Sequence, residues 1–191
     1  MKKLVLALAL AGCCTGIAAA GAQAMGGMNM GGQKAPEDKS KRPSPPREAD
    51  VDLKGKKVHI EYGAPSLRGR KALGGELMPY NTWWRTGANE ATTFETTGNV
   101  LVGSLMVPAG KYTLVTYPSA GTWMLVICKH TGQWGTERFE ADDLGKTGMM
   151  KTSLPSPQET MSISFEKTEG TKTQLHVKWE NTDVWVPVVA K

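Results

Sequence analysis

The stretch "KVHIEY", residues 57–62, alternates apolar and polar side chains. Its apolar members, Val58, Ile60 and Tyr62, fall on one face of an extended chain. A period of two is typical of a β-strand with one buried face, whereas an amphipathic helix repeats every 3.6 residues. The stretch therefore predicts a half-buried strand in an antiparallel sheet.

The same alternation recurs in "TMSISFE" (160–166), "QLHVKW" (174–179) and "DVWVPV" (183–188). Glycine and proline punctuate the gaps between apolar segments, as in "PAGKY", and only "RFEADDLGK" suggests a short helix. Five more segments have strand character: 91–97, 100–101, 105–107, 111–117 and 123–129. Roughly eight or nine strands with close turns predict an all-β fold, either an antiparallel β-sandwich or an open barrel.

The first 24 residues have the layout of a bacterial export signal: two lysines, an apolar run, and small residues ending in "AQA". We favour cleavage after Ala24. The alternative is a lipoprotein signal, because "LAGC" ends at Cys13 and processing there would leave a lipid on that cysteine. Either reading places the protein in the periplasm or outside the cell, and it meets a membrane only if Cys13 is lipidated.

Residues 25–50 are rich in Met, Gly, Pro, Lys and Ser and have few large aliphatic side chains, so we predict a disordered linker. A single β-sandwich domain is expected over residues 51–191. The linker contains Met25, Met28 and Met30, whose thioethers are soft enough to bind Cu(I). We favour the simpler reading, low-complexity sequence beside a cleavage site.

Charge and cysteine content exclude some classes of protein. The 23 basic and 18 acidic residues give a net charge of +5, and acids and bases are interleaved through the predicted domain. Because no basic face with base-stacking aromatic residues is visible, we predict no nucleic-acid partner. Cys128 lies in an apolar strand-like run, which favours a buried, inert thiol.

Catalytic and metal-binding patterns are weak. There is no GxSxG motif, and Glu61, Glu76 and Glu95 are candidate partners for Glu90 that nothing in the sequence places beside it. His59, His130 and His176 are scattered, and we expect His59 and His176 on the solvated faces of their strands. We predict no cofactor.

The stretch "WWRTGANEATTF", residues 83–94, has the densest group of polar and aromatic residues in the chain. Gly87 permits a sharp turn, so a guanidinium, an amide and a carboxylate could face one point beside flat aromatic walls. The segment "KHTGQWG" (129–135) could add further groups. The predicted ligand-binding residues are Trp84, Arg85, Asn89, Glu90, His130, Gln133 and Trp134.

Two other interpretations of this stretch remain open. Arg85 could pair with Glu90 and Asn89 could cap the loop, making a structural plug without a ligand. Alternatively, Glu90 could be the general acid or base of a hydrolase, with His130 or a second carboxylate as its partner.

Several segments resemble a family of exported bacterial proteins, the domain-of-unknown-function family 2911. The similarity runs from about residue 58 to residue 188. It is carried by "YGAPSLRGR", "PYNTWWRTGANEATTF", "PAGKYTLVTYP", "GQWG" and "VKWENTDVWVPV". The resemblance implies one compact domain in the bacterial envelope and no particular activity.

Together these features lead us to expect an exported envelope protein that is a non-catalytic binding module. Its partner would be a small molecule, a glycan or a peptide of the envelope.

Export processing can be tested directly. Cleavage after Ala24 should give a mature chain that begins at Met25 and carries no lipid. Intact-mass measurement of the exported protein checks this, and a diacylglyceryl group on Cys13 would show that the lipoprotein reading is correct.

Overall fold

The computed structural model describes residues 37–191, and this part of the chain is almost entirely β-structure. Its strands are β1 (Pro46–Leu53), β2 (Lys56–Gly63), β3 (Ala88–Thr96), β4 (Val100–Val102), β5 (Leu105–Val107), β6 (Gly110–Tyr117), β7 (Trp123–Cys128), β8 (Asp143–Glu169) and β9 (Lys172–Ala190). Short 3-10 helices span Lys39–Lys41 and Glu140–Asp142. None of the helices in residues 37–191 has the length and apolar character needed to cross a membrane.

All strand pairs are antiparallel, and the sheet order is β1-β2-β3-β6-β7-β8-β9-β4-β5. The sheet does not close into a barrel, but it folds over so that β1 lies against β8 and β9. A short link joins the two layers after β2, where Leu67 N donates to Glu159 O and Met161 N donates to Pro65 O, at 3.0 and 2.9 Å. The predicted antiparallel β-sandwich or open barrel is confirmed.

The core fills the space between the folded layers. The side chains predicted from "KVHIEY" to point inward, Val58, Ile60 and Tyr62, are all buried. Three tryptophans meet nearby: Trp84 stacks on Trp179 with ring centroids 5.9 Å apart, and its ring meets that of Trp123 edge-on at 6.4 Å. Such aromatic pairs add to the burial of apolar area. This cluster anchors the stretch that precedes β3.

The long final hairpin differs from the sequence-based expectation. "QLHVKW" and "DVWVPV" were expected as separate strands, but both lie in β9, which continues through Glu180 at a φ of 54°. Strand β8 begins by pairing with β7 and then pairs with β9, with register shifts between Ser153 and Ser162. A strand that changes partners part-way can serve both layers of the sheet.

The predicted linker ends earlier than residue 50. Strand β1 begins at Pro46 and pairs with β2 from Pro46–Gly63 to Leu53–Lys56. Ala49 and Leu53 are its buried residues, and the charged side chains between them hid the alternation in the sequence. The predicted export signal, residues 25–36 of the predicted linker and the three methionines proposed for Cu(I) lie outside the described residues.

His176 is buried rather than solvated, which corrects the sequence-based expectation. Its Nδ1 lies 2.9 Å from Asp183 Oδ1, and its ring stacks on Trp185 at 5.8 Å. Asp183 is also nearly buried. Strand alternation identifies a face of the sheet, but here that face is covered by neighbouring side chains.

Two methionines provide a matched test of the core. Met161 is fully buried, whereas 47% of Met106 is exposed. Met161→Ala should lower the free energy of unfolding by about 2–5 kcal/mol, because it leaves a cavity. Met106→Ala should change it by no more than about 0.5 kcal/mol. Denaturant melts measure both, and equal losses would contradict this assignment of the core.

Candidate functional site

The start of β3 runs beside the segment Gln133–Gly135. Gly135 N donates to Asn89 O at 3.1 Å, and Ala91 N donates to Gln133 O at 3.3 Å. Glu90 and Trp134 are therefore paired in an antiparallel bridge. Asn89 has a φ of 63°, a conformation that asparagine tolerates better than most residues. The turn brings the two sequence segments singled out as site candidates into one place.

A cleft of about 230 Å³ opens at this bridge. Three of the predicted ligand-binding residues, Asn89, Glu90 and Gln133, line it. Glu61 of β2, considered as a second carboxylate, also lines the cleft. The remaining lining residues are Lys39, Arg42, Pro46, Tyr62, Gly63, Ala91, Thr93 and Gly132.

Glu90 is paired with two cations that precede β1. Arg42 Nη1 donates to Glu90 Oε1 and Oε2 at 2.9 and 2.8 Å, and Lys39 Nζ lies 2.9 Å from Oε1. Partial burial by itself raises the pKa of the Glu90 carboxyl, but the hydrogen bonds from Lys39 and Arg42 lower it to about 2. Glu90 is thus ionised at neutral pH. Its side chain is 42% exposed.

Arg42 is held on both edges of its guanidinium. Its Nε and Nη2 donate to Glu37 Oε1 and Oε2 at 2.9 and 2.7 Å. The carboxylates of Glu37 and Glu90 raise the pKa of Arg42 further above its usual range. Its Cζ also lies 6.0 Å from the ring centre of Trp134, which is within cation–π range.

The segment Glu37–Pro45, here called the N-terminal arm, is also held through its backbone. Three successive carbonyl groups of the arm accept hydrogen bonds: Pro43 O from Arg68 Nη2 at 2.9 Å, Ser44 O from Asn89 Nδ2 at 2.8 Å, and Pro45 O from Ala64 N at 2.9 Å. The Asn89 amide thus donates a hydrogen bond to the backbone of the arm rather than capping its own loop. An extended segment with accessible carbonyls is what this surface accommodates.

Arg85 and Glu90 do not form the pair expected of a structural plug. Glu90 faces the N-terminal arm, whereas Arg85 lines a second hollow of about 230 Å³ together with Trp83 and Trp84. Trp84, predicted as a wall of the ligand pocket, is itself buried against Trp179. The stretch 83–94 therefore presents its two opposite charges at two different places.

The comparison with known protein families supports the resemblance noted in the sequence. The family described as "Protein of unknown function (DUF2911)" matches residues 44–188. The chain belongs to this family. No curated protein and no solved structure matches it.

His130 of this DUF2911 chain is not among the residues that line the Glu90 cleft. Its ring stacks on Phe139 at 3.6 Å, and its Nδ1 lies 3.2 Å from Asp142 Oδ2. Its backbone carbonyl accepts a hydrogen bond from Thr113 Oγ1, which also receives one from Gln133 Nε2. His130 is therefore linked to the cleft through the hydrogen bonds of Thr113 and Gln133.

Trp134 is the most exposed tryptophan of the predicted set, with 47% of its surface accessible. It borders the arm through Arg42, while its backbone N donates to Glu137 Oε2 at 3.0 Å. An exposed aromatic ring beside a carboxylate is suited to contact a cationic group.

The contribution of the arm to the site was not evident in the sequence. Lys39 and Arg42 occur in "KSKRPSPPR", which was interpreted as linker because it lacks apolar residues. Its two signals are the basic cluster and the closely spaced prolines, which favour an extended conformation. Neither signal indicates where the segment docks.

A cluster on the exposed face of β1 and β2 brings together Glu48, His59 and Glu61, whose potential ligand atoms lie within 4.8 Å of one another. His59 Nδ1 is 2.7 Å from Asp50 Oδ1. This pairing follows from the register that places Glu48 opposite Glu61 and Asp50 opposite His59. Exposed groups of this kind also occur without a metal, and the cluster does not by itself define a metal site.

The low pKa of Glu90 predicts a pH effect on stability. Its ordinary pKa is 4.5, and in the folded chain it is about 2. The folded state therefore gains from ionised Glu90 above pH 4.5, and this gain is lost as the pH falls towards 2. Wild type should lose more stability over this range than Glu90→Gln in denaturant melts. Parallel curves for the two proteins would contradict the ion pairs at Glu90.

Proposed function

We propose that this protein is an exported, non-catalytic binding module of the bacterial envelope, and that the Glu90 cleft binds the arginine side chain of an extended, proline-containing peptide. The observation that carries the proposal is the position of Arg42. Both carboxylate oxygens of Glu90 accept hydrogen bonds from this one guanidinium. Arg42 of the N-terminal arm thus occupies the position proposed for the arginine of a peptide ligand.

The arm is held by contacts typical of peptide recognition. Arg42 has φ and ψ of −66° and 149°, which are polyproline II values. Such a backbone is pre-ordered by the neighbouring prolines and leaves its carbonyls free to accept hydrogen bonds, as Pro43 and Ser44 do here. A carboxylate and an aromatic ring then select the basic side chain.

The proposal requires that the arm can exchange with another peptide, and some of its contacts lie at the surface. No side chain of Glu37–Pro45 is fully buried. The Lys39–Glu90 pair is solvent-exposed on both sides, and exposed ion pairs contribute at most about 1 kcal/mol each. An attached arm has an effective local concentration on the order of millimolar, so a second peptide must compete with it.

The hydrolase alternative is less well supported. A general acid must hold a proton at working pH, and a general base works best with a pKa near that pH. The Glu90 carboxyl, with a pKa of about 2, satisfies neither requirement while Lys39 and Arg42 are bound. Among the described residues that line the cleft, Glu61 is the second carboxylate.

The proposed export and envelope location rest on the sequence of residues 1–24 and on the resemblance to exported bacterial proteins noted from the sequence. They agree with a role in binding peptides outside the cytoplasm. The alternative proposal of a lipid on Cys13 would keep the module at a membrane surface and also agrees with such a role.

The peptide proposal is tested with the full chain carrying Arg42→Ala. The probe is a capped synthetic peptide with the sequence KRPSPP, which reproduces Lys41–Pro46. It should bind this variant about tenfold more tightly than it binds wild type, whose own arm competes. NMR signals of the Asn89 and Gln133 side-chain amides and of the Trp134 indole report binding.

Two controls make the result specific. A peptide with citrulline in place of arginine has the same shape without the charge and should bind about tenfold more weakly. Adding Glu90→Gln to the Arg42→Ala chain should produce a similar loss. If Arg42→Ala binds neither peptide, the arm is a permanent structural clasp and the proposed function is wrong.

A further inference from the structure

Arg85 is a half-buried cation without an acidic partner. Three arginines in the described part of the chain are half-buried, and the other two are matched with carboxylates. Arg138 donates to both oxygens of Asp143 at 2.8 and 2.6 Å, and Arg42 is held by Glu37 and Glu90. No carboxylate of residues 37–191 forms an ion pair with Arg85. Buried charges are normally paired, so this difference requires an explanation.

The donors of Arg85 are also poorly satisfied. Nη1 donates to Gly135 O at 3.0 Å, whereas Nε is buried with no acceptor. Arg138 Nε is also buried without an acceptor, but Arg138 has a carboxylate partner and Arg85 has none among residues 37–191. Burial lowers the pKa of the guanidinium, because the charged form is partly removed from water. An unsatisfied buried donor in a native structure often marks the place of a missing water or ion.

The side chain is fixed in position. On the preceding residue, Trp84 N donates to Thr116 O at 2.7 Å and its carbonyl accepts from Thr116 N at 2.9 Å. A Cβ atom on Gly135 would lie 2.0 Å from Arg85 Cδ, so the arginine stem occupies the space that the glycine leaves. Arg85 cannot swing towards solvent without disturbing these contacts.

The hollow beside Arg85 is mostly apolar. Its volume is about 230 Å³, and Leu77, Pro79, Trp83 and Trp84 supply apolar walls, with Gly135 and Thr136 completing the lining. One fixed guanidinium balances one negative charge, so a singly charged carboxylate fits this electrostatic environment better than a doubly charged phosphate. Indole walls favour a flat apolar body attached to that carboxylate.

We propose that the hollow formed by Trp83, Arg85 and Thr136 binds the carboxylate of a ligand with a flat apolar body. The carboxylate receives the donors of Nη2, which has no acceptor in the described chain and, unlike Nε, is not buried. The apolar body lies against the tryptophans. This site is separate from the Glu90 cleft and does not depend on the peptide proposal.

The test uses the full chain and a matched pair of probes, phenylacetate and its neutral amide, phenylacetamide. Phenylacetate should shift the wild-type Arg85 Nε–H and Trp83 indole NMR signals saturably. The amide should bind at least about tenfold more weakly, because it lacks the charge. Acetyl-phenylalanine, which has a free carboxylate, tests whether the C-terminus of a peptide is an alternative source of the same group.

Variants locate the effect. Arg85→Gln should reduce phenylacetate affinity about tenfold or more, and Arg85→Lys should reduce it less, because lysine keeps the charge but loses the planar fork. Arg70→Gln is the control, since Arg70 is exposed and donates only to backbone carbonyls. The Arg85 Nε–H signal of wild type keeps the test valid if Arg85→Gln does not fold.

Three results would overturn the proposal. The first is equal binding of phenylacetate and phenylacetamide. The second is tighter binding of phenyl phosphate than of phenylacetate at the same signals. The third is an Arg85 Nε–H signal that no carboxylate shifts in the wild-type protein.

Discussion

The packing of Trp84 is the constraint on which both sides of the candidate site depend. The indole is buried against Trp179 and Trp123, and the Trp84 backbone exchanges two hydrogen bonds with Thr116 of β6. Because an anchored tryptophan precedes it, the turn at residues 85–88 has little freedom. The positive φ of Thr86 and the extended β3 that follows then determine where the next charged groups emerge. A loop on the surface is thus positioned by the core.

This anchoring separates two charges that sequence proximity suggested would pair. Arg85 donates a hydrogen bond to the carbonyl of Gly135, whereas Glu90 forms an ion pair with Arg42 of the N-terminal arm. Each side is complementary to a different chemistry. A carboxylate paired with two cations favours a basic ligand, whereas an unpaired guanidinium beside indole rings favours an acidic one. One short segment therefore gives this domain two chemically opposite surfaces.

The fold was more accessible from the sequence than the site. Alternation in "KVHIEY" identified a buried face correctly, because burial of apolar side chains every second residue is a local property. The partners of Glu90 were not accessible, since Arg42 lies 48 positions away in a segment whose composition resembles a linker. Conversely, Arg85 and Glu90 are near in sequence and point apart. Periodicity describes what a strand buries, but it does not describe which distant segment covers its end. The burial of His176 was missed for a different reason, because Asp183 and Trp185 of the same strand cover it.

The position of β1 at one end of the sheet has a consequence for solubility. End strands present backbone groups that can pair with another molecule, and exposed charges and proline are common protections against this. Strand β1 starts with Pro46 and exposes charged side chains at Arg47, Glu48, Asp50 and Asp52. The composition that concealed this strand in the sequence therefore also discourages edge-to-edge association, and a more apolar β1 would be easier to recognise but more prone to aggregate.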